Sequence, residues 1–129
     1  MAMHQIEYCA TASPSHMKDM VEKIQKGLAA SKKGFAYLHI FSPCPTGWGY
    51  GSHMSITMAR RAVESNLFPL WEMAEGKLTV NVKPAHPLPI ADFVKSIGKF
   101  KALSDEAIAA IQRRTDQRFQ LLLTLAGNE

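Results

Sequence analysis

One cysteine flanked by prolines is the feature of this sequence best suited to chemistry. Cys44 stands between Pro43 and Pro45, within the segment 42–52, Ser-Pro-Cys-Pro-Thr-Gly-Trp-Gly-Tyr-Gly-Ser. Because proline fixes its own backbone and has no amide hydrogen, the flanking residues would hold the sulfur in a defined direction. A thiol presented in this way suits metal ligation or nucleophilic catalysis. The alternative is a small, half-buried loop cysteine, and the residues alone leave both interpretations open.

The rest of this segment offers weaker chemical signals. Gly47, Gly49 and Gly51 alternate, but they do not fit the dinucleotide fingerprint, and no phosphate-loop lysine accompanies them. Trp48 and Tyr50 could line a surface for a substrate or a partner. The alternative is that these two aromatic side chains hold the loop against its own core.

The other candidate groups are isolated. Cys9 lies in a predicted strand, where we expect a packed thiol. His39 alternates with apolar residues and is predicted to be a hydrogen-bonded core residue, whereas His53 lies at a helix start beside the loop. No His-x3-His or His-Glu-x-x-His pattern is present. The residue types therefore predict no catalytic histidine and no self-contained metal site.

The elements before the loop form a strand–helix–strand pattern. Residues 5–11 predict a short strand, and the nearly continuous apolar run 35–41 predicts a strand buried on both faces. Ser13 as N-cap and Pro14 at the first helical position predict the start of the intervening helix. Its apolar residues recur at helical spacing on one face: Met17, Val21, Ile24 and Leu28. A βαβ unit of this length predicts parallel strands, with the Cys44 loop at the carboxyl edge, where α/β sheets bind ligands.

After the loop, the sequence predicts a mixture of helices and a hairpin. A helix over about 54–66 should turn Met58, Ala62 and Val63 inward, and Gly76 should turn a hairpin into the strand 77–82. A helix is expected from Leu88-Pro89, and a last helix is capped by Ser104-Asp105-Glu106. The predicted buried residues of these two helices are Ile90, Phe93, Val94, Ile97, Ile108, Ile111, Thr115, Phe119 and Leu122.

The Pro-rich segment 83–89 suggests a division of the chain. Residues 1–82 are predicted to form an α/β part, and residues 83–129 a linker and helical tail. No internal repeat or low-complexity segment interrupts either part.

Composition and charge exclude several classes of protein. Hydrophobic residues make up 47% of the 129 residues, which is typical of a globular chain rather than a disordered one. The net charge of +4 comes from dispersed basic residues without interleaved aromatic side chains, so we expect no nucleic acid partner. No apolar run has the length of a membrane span, and the first residues do not form a secretory signal. We therefore expect a cytoplasmic protein whose basic residues face solvent or an acidic partner.

Three segments together resemble one family of enzymes. They are Tyr8-Cys-Ala-Thr-Ala-Ser-Pro14, Phe41-Ser-Pro-Cys-Pro-Thr-Gly-Trp48 and Ala62-Val-Glu-Ser-Asn-Leu-Phe-Pro-Leu-Trp-Glu72. In order and spacing they are similar to the C-terminal segment of the β subunit of pyruvate:ferredoxin oxidoreductase and related 2-oxoacid:acceptor oxidoreductases. The segment Pro89–Phe100 resembles the C-terminal helix of that subunit. The resemblance implies the C-terminal part of a three-layer thiamine-diphosphate-binding α/β fold with a parallel sheet, plus a helical tail.

The resemblance also implies a reaction and a set of cofactors. The complete enzyme would decarboxylate a 2-oxoacid oxidatively to an acyl-CoA, using thiamine diphosphate with Mg²⁺ and a [4Fe-4S] cluster that passes electrons to a ferredoxin-like acceptor. Cys44 matches the family cysteine that supplies the fourth cluster ligand, and the resemblance assigns no other site residue to this chain. Trp48 and Tyr50 would shield the cluster from water. Cys9 has no counterpart in the family motif, which agrees with a packed thiol.

Much of the family's machinery is missing from this sequence. The Gly-Asp-Gly motif that binds the diphosphate and magnesium is absent, as are the other three cluster cysteines. We therefore expect a truncated chain or one piece of a split subunit, inactive and without cofactors when isolated, and prone to self-association. Its partners would be the remaining β-subunit segment and the other oxidoreductase subunits. The alternative function is a non-catalytic accessory or assembly module derived from the same fold.

Overall fold

The structure, a computed structural model, describes residues 6–127 of the chain. Within this range the chain forms four strands, five α-helices and short 3₁₀ turns at Ser52–Met54 and Gly98–Phe100. The strands are β1 (Tyr8–Ala12), β2 (Ala36–Ile40), β3 (Trp71–Ala74) and β4 (Lys77–Val80). The helices are α1 (Met17–Ala30), α2 (Pro45–Trp48), α3 (Ser55–Glu64), α4 (Ile90–Val94) and α5 (Asp105–Leu125).

The strands form one mixed sheet in the order β2-β1-β3-β4. β1 and β2 run parallel, with Tyr8 opposite Ala36, while β3 is antiparallel to both β1 and β4. The hairpin between β3 and β4 turns at Glu75 and Gly76, whose φ angles of 51° and 75° are those of a tight hairpin turn. The predicted α/β class, the parallel βαβ unit and the hairpin at Gly76 are confirmed, and the hairpin adds antiparallel strands to the parallel pair.

The prediction that β2 is buried on both faces is wrong for this chain. β2 lies at the edge of the sheet, and His39 and Ile40 at its end are exposed. β1 has a strand on either side, and all five of its residues are buried. An apolar run favours a strand, but the position of that strand in the sheet is decided by its neighbours.

Helix α1 begins later than the sequence predicted. Its first residue is Met17 and its N-cap is His16, instead of Ser13. The amide of His16 donates to the carbonyl of Ser13 at 3.0 Å, so residues 13–16 form a turn with Pro14 in its second position. The fixed φ of proline suits that turn position as well as it suits a helix start.

The predicted apolar stripe of α1 lies on one face, but that face points away from the sheet. Three of its side chains are between 44% and 64% exposed: Met17, Val21 and Leu28. The buried side of the helix instead carries Lys23 and Gly27. A Cβ on Gly27 would lie only 2.6 Å from the Cδ1 of Leu38, so the glycine lets the helix approach the sheet closely.

The second half of the chain forms a hydrophobic cluster between α3, α4 and α5. Its buried members are Met58, Ala62, Ile90, Phe93, Val94, Ile97 and Ile108. The predicted inward face of α3 and the predicted apolar residues of α4 are confirmed, and Ser104 caps α5 by accepting the amide of Ala107 at 3.2 Å. The cluster joins residues from both sides of the Pro-rich segment 83–89.

Within residues 6–127 no helix combines the length and apolar character that crossing a membrane requires.

Candidate functional site

The loop after β2 contains two short regular elements. Residues 45–48 form the single-turn helix α2, and Ser52–Met54 form a 3₁₀ turn. Pro45 occupies the first helical position, where an amide hydrogen would have no partner within the helix, so its absence in proline costs nothing. Gly49 ends the turn with φ 71° in the left-handed region. The amides of Gly49 and Tyr50 both donate to the Pro45 carbonyl, at 2.9 and 3.2 Å. The prolines and glycines therefore shape one closed turn instead of an irregular loop.

Cys44 presents an exposed thiol at the start of this turn. It is the N-cap of α2, and its sulfur accepts the amide of Gly47 at 3.3 Å. The turn follows the end of β2, so the sulfur lies beyond the carboxyl end of the parallel pair. Cys9, by contrast, is 2% exposed as the second residue of β1, and burial raises the pKa of its thiol. Of the two thiols, Cys44 is the accessible one, as a ligand or a nucleophile must be.

Aromatic side chains connect the Cys44 loop to the hydrophobic cluster. The ring of Trp48 lies 5.9 Å from that of Phe41, 6.2 Å from that of Tyr50 and 6.2 Å from that of Phe93 on α4. Phe41 in turn contacts Phe68 at 4.9 Å. Of the two interpretations of Trp48 and Tyr50, the structure supports the one in which they hold the loop against the core. The Tyr50 hydroxyl is buried and finds no hydrogen-bond partner among the described residues.

The two histidines that the sequence singled out do not join Cys44 in a metal site. His39 is exposed, and its ring contacts Phe68 edge-on at 5.1 Å, so the predicted core position is wrong because β2 is an edge strand. His53 is exposed in the 3₁₀ turn after the loop. Between residues 6 and 127 there is no group of three or more His, Cys, Asp or Glu side chains arranged to hold a metal ion.

Sequence reasoning missed a polar network centred on Glu72 of β3. Its carboxylate accepts the Tyr8 hydroxyl at 2.6 Å, the Lys26 ammonium at 2.7 Å and the Asn81 amide at 3.1 Å. Burial opposes ionisation of Glu72, but these hydrogen bonds outweigh it and hold its pKa below the ordinary value. Burial and the hydrogen bond to Glu72 raise the pKa of Tyr8. Glu72 was overlooked because it follows an apolar run, and its partners come from distant parts of the chain.

Lys23 is a second buried charge that the sequence did not reveal. It is 1% exposed on the sheet side of α1, and its ammonium donates to Asp19 and to the carbonyl of Thr11, both at 2.9 Å. Burial lowers its pKa, although the carboxylate of Asp19 acts in the opposite direction. The spacing of four residues between Asp19 and Lys23 was a usable signal for the ion pair, but not for its burial. These contacts join α1 to β1 and give no indication of a ligand.

Comparison with known proteins finds related sequences along almost the whole chain. The chain is 42% identical over 122 residues to the NADH-dependent phenylglyoxylate dehydrogenase subunit beta of Aromatoleum evansii. It is 38% identical to the pyruvate synthase subunit PorB of Methanocaldococcus jannaschii, and 37% identical to the ketoisovalerate oxidoreductase subunit VorB of Pyrococcus horikoshii. No family model matches the chain.

The similarity covers the chain and its relatives to different extents. It includes 92% of the chain for the dehydrogenase subunit and 95% for the other two proteins. The chain spans only 27% of the length of the first relative and 40% of the length of the other two. The relatives therefore contain large regions that have no counterpart in the matched sequence.

Proposed function

Since this chain belongs to the family of 2-oxoacid:ferredoxin oxidoreductase β subunits, of which it spans a segment, we propose that it works within such an oxidoreductase. The proposed overall reaction is the oxidative decarboxylation of a 2-oxoacid to an acyl-CoA, with the electrons passed to a ferredoxin-like acceptor. The relatives at 37–42% identity carry the names of oxidoreductase subunits, which supports an enzyme part over the accessory module. The observation that carries the proposal is the exposed, preoriented Cys44 thiol within a chain of this ancestry.

In this proposal Cys44 supplies one of the four thiolates that hold a [4Fe-4S] cluster. Its sulfur is exposed and held by a closed turn, so it fits one corner of such a cluster. The sequence has two cysteines, and Cys9 is enclosed in β1, so the other three ligands come from another polypeptide segment. When bound, thiamine diphosphate with Mg²⁺ would supply the electron sink for decarboxylation, and the cluster would carry the electrons away.

The remaining residues of the loop set the position of the sulfur and its access to water. Pro43 and Pro45 restrict the backbone on either side of Cys44. The rings of Trp48 and Tyr50 lie 6.2 Å apart at the end of the turn, and they would limit the approach of water to the sulfur. Solvent exposure influences the potential of an iron–sulfur cluster. The chain thus contributes a ligand and its surroundings, without a group that acts directly on the 2-oxoacid.

The proposed partners are the remaining β-subunit segment and the other oxidoreductase subunits. The outward face of α1 and the edge of β2, which no further strand pairs with among the described residues, support this proposal. Met17, Leu28 and Ile40 are between 44% and 64% exposed there. A partner that adds a strand to β2 and covers α1 would bury this apolar surface. The isolated chain would hold neither thiamine diphosphate nor a [4Fe-4S] cluster and would be inactive.

The decisive experiment compares two cysteine-to-serine variants in the native complex that contains this chain. Cys44→Ser should abolish or alter the electron paramagnetic resonance signal of the reduced cluster and greatly reduce ferredoxin reduction, because a serine oxygen is a poor ligand for cluster iron. Single-turnover release of CO₂ from the 2-oxoacid should survive better than electron transfer. The matched control, Cys9→Ser, should keep the cluster signal.

The control carries its own expected effect. Placing a hydroxyl in the apolar interior around Cys9 should cost about 1–3 kcal/mol of stability if the hydroxyl finds no partner. A cluster signal that is unchanged in Cys44→Ser would contradict the proposed ligand. Loss of the signal in Cys9→Ser alone would contradict both the ligand and the proposed alignment of the loop.

A further inference from the structure

The Cys44 loop rests directly on the backbone that follows α4. A Cβ built on Gly98 would lie 2.6 Å from the carbonyl oxygen of Gly49, closer than real side chains ever approach. A Cβ on Gly49 would make only ordinary contact with Gly98, at 3.6 Å from its Cα, but the φ of 71° at Gly49 disfavours any side chain there. The two segments can therefore lie this close only because position 98 has no side chain.

The segment before Gly98 is anchored in the hydrophobic cluster. Ile97 and Phe93 are 1% and 5% exposed in the hydrophobic cluster, and Phe93 also contacts the ring of Trp48. The amide of Ile90 donates to the side chain of Gln112 on α5 at 2.7 Å. The segment before Gly98 thus forms a fixed support for the more exposed loop.

A displacement at Gly49 would reach the sulfur through the hydrogen bonds of one helical turn. The amide of Gly49 donates to the carbonyl of Pro45 at 2.9 Å, and that of Trp48 to the carbonyl of Cys44 at 3.0 Å. The amide of Gly47 donates to the Cys44 sulfur at 3.3 Å. Because the turn is short and closed, movement of one end reorients the other.

We propose that Gly98 is a positioning residue for the Cys44 thiol. The absence of a side chain at position 98 lets the Gly49 carbonyl approach, and this contact sets the orientation of α2 and the direction of the sulfur. The geometry alone supports the positioning of the sulfur by Gly98, and only the importance of that positioning for a cluster ligand rests on the proposed function. It gives the segment after residue 89 a role in the site.

The test is Gly98→Ala in the full chain, with Gly34→Ala as its matched control. A Cβ on Gly34 would lie 2.7 Å from the Cγ of Glu7, a flexible side chain that can move away, so the control makes the same chemical change without touching the loop. In ¹⁵N-labelled folded protein, Gly98→Ala should shift the Gly47 amide resonance. It should also speed exchange of that amide with water by about tenfold, equivalent to about 1.4 kcal/mol for a lost hydrogen bond. Gly34→Ala should leave both observables unchanged.

A purely structural role for Gly98 predicts a different result. In that case Gly98→Ala would lower the melting temperature but leave the Gly47 amide of the folded protein as it is in the wild type, and the proposal would be overturned. An equal effect of Gly34→Ala on Gly47 would overturn it too.

A milder variant covers the case in which Gly98→Ala does not fold. Phe93→Leu keeps an apolar side chain but removes the ring contact with Trp48, and it should speed exchange of the Gly47 amide by about threefold. If the Gly47 amide exchanged at the wild-type rate in Phe93→Leu, the support of the loop by this segment would be refuted. No iron is involved in these measurements, so their failure is distinguishable from failure of the cluster-ligand proposal.

Discussion

At the scale of single residues, Glu72 joins three parts of the chain through one carboxylate. It receives hydrogen bonds from β1, α1 and the segment after β4, by way of Tyr8, Lys26 and Asn81. Because its pKa in the folded protein is lower than in the unfolded chain, ionised Glu72 stabilises the fold. That stability is present above the unfolded-state pKa and is lost as the pH falls through the folded-state pKa.

Glu72→Gln should therefore be destabilising at neutral pH and less so in acid. We expect the free energy of unfolding to fall by roughly 1–3 kcal/mol at pH 7, because three donors lose their charged acceptor. The partial exposure of Lys26 keeps the loss within this range, since solvent screens its interaction with Glu72. The difference from the wild type should shrink as the pH falls below the ordinary glutamate value of 4.5. Urea unfolding of both proteins at a series of pH values measures this difference in the free energy of unfolding.

The control for this prediction is Glu22→Gln, which removes the same charge from an exposed position on α1. Its stability should stay within about 0.5 kcal/mol of the wild type across the series. A pH-independent difference for Glu72→Gln would contradict the role of the ionised carboxylate.

At the scale of elements, the orientation of α1 makes a prediction about stability. Leu28 is 64% exposed and Met58 of α3 is fully buried, although both belong to apolar stripes with helical spacing. In monomeric protein at low concentration, Leu28→Ala should change the free energy of unfolding by about 0.5 kcal/mol or less. Met58→Ala should cost about 2–5 kcal/mol, because it leaves a cavity. Similar losses for the two variants would show that α1 buries its apolar face.

At the scale of the whole molecule, two surfaces predict self-association of the isolated chain: the exposed apolar face of α1 and the edge of β2, which is unpaired within residues 6–127. Unpaired strand edges and apolar surface favour pairing with a second copy, most simply in a symmetric dimer. Sedimentation at micromolar concentration should show a species heavier than the monomer. A monodisperse monomer under these conditions would contradict the prediction.

Two charge substitutions identify the associating surface. Leu28→Lys, on α1, should shift the equilibrium toward monomer. Leu125→Lys changes a side chain that is equally exposed, at 67%, but at the end of α5, and it should leave association unchanged. If only Leu125→Lys dissociated the oligomer, the interface would involve α5 instead of α1 and β2.

The sequence by itself determined the features that depend on neighbouring residues. Hydrophobic periodicity identified the βαβ unit and the inward face of α3, and local turn and capping chemistry identified the hairpin at Gly76 and the cap at Ser104. The separate elements, the turn and the cap were predictable because their energies arise within a few residues along the chain. The parallel pairing followed from the general rule for strand–helix–strand connections. Its flanking prolines and its place after a strand singled out Cys44 in the same way, but they left open whether its thiol is accessible, which the structure decided.

The tertiary structure alone decided which way the apolar face of α1 points, where β2 lies in the sheet and what surrounds the Cys44 loop. The apolar stripe of α1 faces outward because Gly27 and Lys23 occupy the side against the sheet. β2 is half-exposed because β1 is its one neighbouring strand in the part of the chain that the structure describes. The contact of Gly49 with Gly98 and the network around Glu72 join residues that are far apart in sequence. Such contacts depend on how the elements pack in three dimensions, and periodicity along the chain carries no information about which partner an apolar face or a carboxylate will meet.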